Sequence, residues 1–182
     1  MKTISKISKS KLKIKKILFL FMLLLQVTCK QDDKVNNIYS IDGYFEAYFP
    51  GQPELYKKYE NTSGTFVFYN HQDLFSKIQF VANYIILKEK PEDKQLFLYR
   101  IINTLAKQWN GSVLKYEEIK HNGIDGIHYI SKTIKNNDLI YEVGLVSIKD
   151  SLWFQWVVEE IDDKSEAQNI FNEKVKYFKV LK

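Results

Sequence analysis

Hydrophobic and polar residues alternate along several stretches of the chain, with the period of two that is typical of β-strands. The clearest alternation lies at residues 78–86, where every second residue is apolar. Two aromatic-rich runs precede it, at residues 44–49 and 65–70, and residues 55–60 continue the first run beyond a turn that contains Pro50. The pattern predicts strands joined by short turns in this part of the chain.

The period changes to that of a helix at residues 92–109. The apolar residues of this segment fall on one helical stripe, at Leu98, Ile101, Ile102, Leu105 and Trp109. Pro91 is compatible with a helix start, and Asn110-Gly111 supplies a stop. Together these features predict an amphipathic helix.

Alternation returns after this helix, in four segments separated by short polar turns. They cover residues 113–120, 126–134, 139–145 and 152–158. In the last segment Trp153 and Trp156 are three residues apart and therefore point to opposite faces of a strand. A strand that is apolar on both faces needs cover on both sides. A final helix is predicted at about residues 164–178, with Asp163 and Glu166 arranged as in a capping box.

The order of strands, helix, meander and helix predicts an α+β fold. We expect an antiparallel sheet of about six strands, covered by helices on both faces in three layers. This order, the stretch FEAYFPGQP at residues 45–53 and the ending Tyr177-Phe178-Lys179 resemble the PsbP-like superfamily, whose bacterial relatives include DcrB-like envelope proteins. The resemblance extends over nearly all of residues 40–182. It implies a fold used for binding and assembly, without catalytic residues.

The N-terminal region has a different pattern. Residues 1–28 contain seven lysines and no acidic residue, and residues 17–25 are nine consecutive apolar residues. A helix needs about 20 apolar residues to span a bilayer, whereas about 7–15 suffice for the core of a signal peptide. Because all 22 acidic residues follow this leader, the basic excess of the whole chain belongs to the leader. The charge therefore gives no support to nucleic-acid binding.

Cys29 is the only cysteine of the chain and directly follows the leader. With the small residue Thr28 before it, it resembles the acylated cysteine of bacterial lipoproteins, although Gln26 replaces their usual leucine. We expect a lipoprotein signal peptide at 1–28, a flexible tether at 29–37 and one domain at 38–182. Cleavage without lipidation and an uncleaved anchor are the alternatives. Two or more acyl chains would hold the domain stably at a membrane.

The residues that follow Cys29 indicate the membrane to which a lipoprotein would be sorted. Residue 30 is lysine rather than the aspartate that retains Gram-negative lipoproteins in the inner membrane. The acidic pair Asp32-Asp33 resembles a surface-export signal. We therefore expect an outer-membrane lipoprotein, and the sequence leaves open whether it faces the periplasm or the cell surface.

Few residues in the chain form a pattern that is typical of a catalytic or metal-binding site. The histidines His71, His121 and His128 lack the spacing of a zinc site. An acidic cluster could hold a weak Ca²⁺ or supply paired carboxylates for glycoside hydrolysis, although acids before a helix are also favoured by capping. It consists of Glu159, Glu160, Asp162 and Asp163. We expect no catalytic residues, no metal and no cofactor.

The aromatic residues are the best candidates for a binding surface, since the chain has 12 Tyr, 12 Phe and three Trp. Four tyrosines near the predicted N-terminal strands are the candidates, namely Tyr44, Tyr48, Tyr56 and Tyr59. The first hypothesis is a non-catalytic binding or assembly domain that is held at a membrane by its lipid and binds an envelope protein. A glycan- or small-ligand-binding surface lipoprotein is the alternative, and a hydrolase that uses the acidic cluster is a third interpretation.

Overall fold

The computed structural model describes residues 37–72 and 77–181. The leader at 1–28, Cys29 and residues 29–36 of the expected tether lie outside the described residues. The strands are β1 (Ile38–Ile41), β2 (Phe45–Tyr48), β3 (Glu54–Glu60), β4 (Gly64–Gln72), β5 (Ile78–Leu87), β6 (Ser112–His121), β7 (Ile124–Lys135), β8 (Asp138–Lys149), β9 (Leu152–Ile161) and β10 (Lys179–Val180). The helices are α1 (Lys94–Gln108) and α2 (Lys164–Lys174), and one turn of 3-10 helix follows at Val175–Tyr177.

The strands form two antiparallel sheets. The large sheet has seven strands in the order β3-β4-β5-β9-β8-β7-β6, and the small sheet has the order β1-β2-β10. Hairpins join neighbours within each half of the large sheet, and the β5–β9 pairing joins the halves. The predicted Asn122-Gly123 turn is confirmed, because both residues have positive φ, at 51° and 82°, as a tight hairpin requires.

The two faces of the large sheet carry separate apolar cores. On the first face Trp153 packs with Leu98 and Ile102 of α1. On the second face Trp156 packs with Phe45 of the small sheet and Phe171 of α2. The prediction that residues 152–158 are apolar on both faces is therefore confirmed, and both tryptophans are buried.

The predicted fold class is wrong. The described residues are mostly β, with 57% in strands and 21% in helices, so the protein is not an α+β fold with about six strands. Helices alone do not cover the two faces of the sheet: α1 packs on the first face, whereas the second sheet and α2 share the second face. The physical reason lies in residues 44–49, whose strand pairs with β1 and β10 and forms a layer of its own.

The helix boundaries follow from their caps. Asp93 accepts a hydrogen bond from the amide of Leu96, so α1 starts two residues later than predicted. Asp163 accepts hydrogen bonds from the amides of Ser165 and Glu166, as the capping prediction expects. The predicted end of this helix at residue 178 is too late, because the last turn tightens into the 3-10 helix.

Candidate functional site

The four candidate tyrosines lie in two separate places. Tyr44 and Tyr48 are half-buried and belong to the small-sheet region, where they pack against the second face of the large sheet. Tyr56 and Tyr59 lie on β3, the edge strand of the large sheet, and are 72% and 37% exposed. These tyrosines therefore do not form one surface.

Tyr59 belongs to an aromatic strip that it forms with Phe66 and Phe68 of β4. Its ring lies 4.8 Å from that of Phe66 and 6.0 Å from that of Phe68, with interplanar angles of 3° and 10°. The ammonium of Lys57 lies 5.0 Å from the centre of the Tyr59 ring. The two phenylalanines were not among the predicted site residues.

The aromatic strip lies on the first face of the sheet, beyond the cover of helix α1. That helix packs mainly on β6, β7 and β8, at the other end of the sheet. Every residue of β3 is exposed, and the strip residues of β4 are half-buried. The β3–β4 end of the first face is thus an apolar surface that α1 leaves open.

The outer edge of β3 is protected against pairing with another strand. A bulge interrupts its register at Tyr56, and Lys57 and Lys58 follow. Bulges and edge lysines are devices that discourage edge-to-edge pairing. The open part of β3–β4 is therefore suited to contact through its face rather than through a backbone edge.

The orientation of the strip rings bears on the glycan-binding interpretation. A sugar stacks on a ring whose flat face is turned to solvent. The near-parallel stack turns the face of Tyr59 toward Phe66 and Phe68, and Lys57 lies over the same ring. The rings of the strip therefore have one another and Lys57 as stacking partners, and an apolar aromatic cluster of this kind is typical of contacts with a protein surface.

Next to the strip, the first face carries a buried hydrogen-bonded chain. Asn83 donates to Gln155 Oε1 at 2.8 Å, and Gln155 Nε2 donates to the hydroxyl of Tyr129 at 2.5 Å. Gly144 leaves the space for that tyrosine, since a Cβ at Gly144 would lie 2.7 Å from the ring. Burial raises the pKa of Tyr129 well above its usual value, so this phenol stays neutral.

A buried acid–base cluster continues this polar layer. The ammonium of Lys135 lies 2.8 Å from Glu159 Oε1 and 3.4 Å from Glu142 Oε1, and Ser131 donates to Glu142 Oε2 at 2.6 Å. Burial, with the neighbouring Glu142, raises the pKa of Glu159 to about 7. The cluster thus provides its own lysine for the two buried carboxylates, and its polar groups pair with one another.

A tyrosine–aspartate cluster lies on the second face, where the small sheet meets the large one. It consists of Asp42, Tyr44, Tyr69 and Tyr84. The hydroxyl of Tyr84 donates to Asp42 Oδ2 at 2.6 Å, and that of Tyr69 lies 3.0 Å from both carboxylate oxygens. The ring of Tyr44 packs 4.9 Å from that of Tyr84. Burial and the Asp42 carboxylate raise the pKa of Tyr69 to about 12 and that of Tyr84 further.

The three histidines lie apart from one another. His71 Nδ1 contacts the carbonyl of Gln52 at 3.1 Å, and His121 Nε2 contacts that of Phe178 at 2.7 Å. His128 stacks on Phe171 of α2 with ring centres 4.8 Å apart, and burial lowers its pKa. Over residues 37–72 and 77–181, no three His, Cys, Asp or Glu side chains lie close enough to hold a metal ion.

The acidic cluster expected at residues 159–163 is divided by the fold. Glu159 points to the first face and Glu160 to the second, as strand alternation requires. Asp162 lies in a turn with φ of 68°, and Asp163 caps α2. The hydrolase interpretation therefore lacks the facing carboxylate pair that it needs.

The comparisons with known proteins concern the fold. No protein-family model matches the chain, and no curated protein matches it. The solution structure of cyanobacterial PsbP (CyanoP) from Synechocystis sp. PCC 6803 is similar, with 12% sequence identity and a TM-score of 0.56 over 82% of this chain and 95% of that chain. A protein of unknown function from Pseudomonas aeruginosa has 8% identity and a TM-score of 0.45 over 69% of this chain and 95% of that chain.

The similarity to CyanoP defines the class of fold. The chain has a PsbP-like fold, in agreement with the resemblance seen in the sequence. At 12% identity the likeness to CyanoP concerns the fold alone. None of the helices that the structure describes is long and apolar enough to cross a bilayer.

Proposed function

We propose that the protein is a lipid-anchored, non-catalytic binding domain of the cell envelope that docks an envelope protein on its aromatic strip. The observation that carries the docking proposal is the apolar end of the first face, where Tyr59, Phe66 and Phe68 lie beyond the cover of α1. Anchoring is supported by the leader and by Cys29 directly after it.

The chemistry of the strip specifies its partner. The stacked aromatic rings offer apolar contact, and Lys57 adds a positive charge at the margin of that contact. A partner with an apolar patch bordered by acidic side chains matches both features. We expect this partner to be a protein held at the same membrane, since a tether at Cys29 confines the domain to that surface.

The anchor is tested by the intact mass of protein purified from membranes. We expect a chain that begins at Cys29 and carries a diacylglyceryl thioether and an amide-linked acyl chain. Cys29→Ser should leave the membrane fraction, whereas the control Thr28→Ala keeps a small residue before the cysteine and should remain. An unmodified mature chain, or one that retains residues 1–28, would contradict the proposed anchor. Protease treatment of whole cells then tests surface exposure.

Docking is tested by a photo-crosslinking amino acid placed at Tyr56 in whole cells. Leu114 provides a matched control, because it is the bulged residue of the opposite edge strand β6 and is 47% exposed. We expect one reproducible protein adduct from position 56 and none from position 114. Adding Tyr59→Ala should remove the adduct without loss of the protein itself. Equal adducts from both positions, or an adduct unaffected by Tyr59→Ala, would rule the strip out as the docking surface.

A further inference from the structure

We propose that the domain rests on the headgroup layer of its own membrane through a tyrosine–lysine patch beside the point at which the chain enters the fold. The patch consists of Ile38, Tyr48, Lys174, Lys176 and Tyr177. This proposal depends on the lipid anchor proposed at Cys29 and adds to it the side of the domain that faces the bilayer. It does not depend on docking, because the patch and the aromatic strip share no residue.

The patch is built around β1, the first strand of the domain. Ile38 is 38% exposed and pairs in register with Tyr48 of β2. The carbonyl of Asn37 accepts a hydrogen bond from the amide of Phe49 at 2.9 Å, which ties the start of the strand to the small sheet. The ring of Tyr48 lies 6.2 Å from that of Tyr177, with an interplanar angle of 29°. The two tyrosines therefore lie next to the chain entry.

Two lysines of the C-terminal segment lie over these rings. Lys174 Nζ is 4.7 Å from the centre of the Tyr48 ring, and Lys176 Nζ is 5.0 Å from that of Tyr177. Glu173 lies 2.7 Å from Lys174 and offsets its charge, so the exposed Lys176 supplies the net positive charge of the patch. Tyrosines are enriched at membrane–water interfaces, and lysines are attracted to anionic headgroups. The patch therefore matches the headgroup layer of a bilayer that contains anionic lipids.

The length of chain between the anchor and the fold limits which side of the domain can meet the bilayer. Cys29 and Asn37 are eight residues apart in the sequence, and eight extended residues span at most about 28 Å. A compact domain with the length of residues 37–182 is about 38 Å across. Because this chain is shorter than the domain is wide, the side opposite to the entry is out of reach of the membrane, whereas the side that carries the patch can rest on it.

The test is fluorescence quenching of the mature, acylated protein in vesicles of phosphatidylethanolamine and phosphatidylglycerol. The vesicles contain a lipid that carries a nitroxide on its headgroup and quenches fluorophores that touch the headgroup layer. Cys29 is the only cysteine and its thioether leaves no free thiol, so an introduced cysteine takes the only fluorophore. Ser40→Cys places this fluorophore at an exposed position of β1, two residues beyond Ile38.

Ser63→Cys is the matched control, because it is the same exchange at another exposed serine. Ser63 lies at the opposite end of the large sheet from the patch. Its neighbour Gly64 pairs with Leu87 at the end of β5, whereas the patch residue Tyr48 contacts Phe80 near the start of β5. The seven residues between these two positions of β5 correspond to about 23 Å along the strand.

We expect strong quenching of the fluorophore at position 40 and little or none at position 63. Lys176→Gln and Tyr177→Ser, introduced together with Ser40→Cys, should reduce the quenching at position 40 to the level of position 63. Lys164→Gln removes an exposed lysine from the other end of α2 with the same change of charge. This control should leave the quenching at position 40 unchanged.

Equal quenching at both positions, or none at position 40 in vesicle-bound protein, would overturn the proposal without any substitution in the patch. So would quenching that persists when Lys176 and Tyr177 are replaced. Labelling of a second thiol at Cys29, with loss of the protein from the vesicles, would show instead that the anchor is absent, which refutes the proposed anchor and this proposal together.

Discussion

The two faces of the large sheet hold different chemistry, although every strand supplies residues to both in alternation. Phe68 and Tyr69 are neighbours in β4, yet Phe68 joins the apolar strip on the first face and Tyr69 joins the tyrosine–aspartate cluster on the second. Glu159 and Glu160 are neighbours in β9, yet Glu159 meets Lys135 whereas Glu160 Oε2 is buried without a hydrogen-bond partner. Residues that are adjacent in one strand therefore contribute to different features, an apolar contact surface on the first face and an oxygen-rich cluster on the second.

This difference shows where specificity can come from in a sheet of this kind. The open end of the first face offers area and apolar contact, which favours a macromolecular partner. The second face brings oxygen atoms together at the junction of two sheets, where the turn at Asp42 reaches Tyr69 and Tyr84. Four changes to individual side chains test this contrast, from the largest expected effect to the smallest.

The largest effect is expected at Glu160, on the second face. Burial and the nearby Glu166 and Asp163 raise its pKa from 4.5 to about 7, so the folded protein favours the neutral carboxyl. Its contribution to stability is complete below pH 4.5 and is lost as the pH rises through 7. Glu160→Gln stays neutral and should therefore raise the free energy of unfolding above pH 7, with little change at pH 4.5.

Urea unfolding at a series of pH values measures this difference. Glu89→Gln is the control, since Glu89 is exposed and should show no such pH-dependent gain. A Glu160→Gln curve that runs parallel to that of the unaltered protein across the whole range would show that Glu160 is ionised without cost.

The next effect is expected at Tyr84. Removing its hydroxyl deletes the 2.6 Å hydrogen bond to the Asp42 carboxylate. Because hydrogen bonds to charged groups contribute about 1.5–3 kcal/mol, Tyr84→Phe should lower the free energy of unfolding by about that amount. Chemical denaturation measures it, and Tyr39→Phe is the matched control. Equal stability of the two variants would mean that the cluster adds nothing to the joining of the sheets.

A smaller loss of stability is expected at Tyr59. Aromatic pairs contribute about 0.5–1.5 kcal/mol beyond their burial, and the Tyr59 pair with Phe66 is partly exposed. Tyr59→Ala should therefore reduce the free energy of unfolding by about 1 kcal/mol while it removes the crosslink from position 56. If this variant lost cooperative unfolding, the strip would be part of the hydrophobic core rather than a contact surface.

The smallest effect is expected at Lys57. Its ammonium lies 5.0 Å from the centre of the Tyr59 ring, and an exposed cation–π contact contributes about 0.5–1 kcal/mol. Lys57→Gln should change the free energy of unfolding by no more than about 1 kcal/mol. It should still weaken the crosslink if the partner is acidic, and Lys58→Gln is the control on the same strand. A crosslink that strengthens in Lys57→Gln would indicate a basic partner instead.

The sequence predicts only part of the candidate site. Tyr59 was recognised as a surface residue, and the hairpin turn at residues 61–64 places it opposite Phe66 once the register is known. The tyrosine–aspartate cluster offered no such signal, because Asp42 is separated by 27 residues from Tyr69 and by 42 from Tyr84. No local pattern relates residues on different sheets.

Local rules that depend on period and capping predict most of the elements. Alternation predicts the strands of the large sheet, the stripe at Leu98 and Ile102 predicts α1, and Trp153 and Trp156 predict that both faces of β9 are covered. The short strands β1 and β10 have no such pattern and were not predicted. These features follow from side-chain direction along a single element, and the sequence carries that information by itself.

Only the tertiary structure determines which elements pair and which apolar surfaces stay exposed. Residues 44–49 have the alternation of any half-buried strand, and only the folded chain puts them in a second sheet with β1 and β10. The exposure of the strip and the meeting of Asp42 with two distant tyrosines have the same origin. Each depends on non-local pairing, whose energy comes from burial between elements rather than from the preferences of either segment.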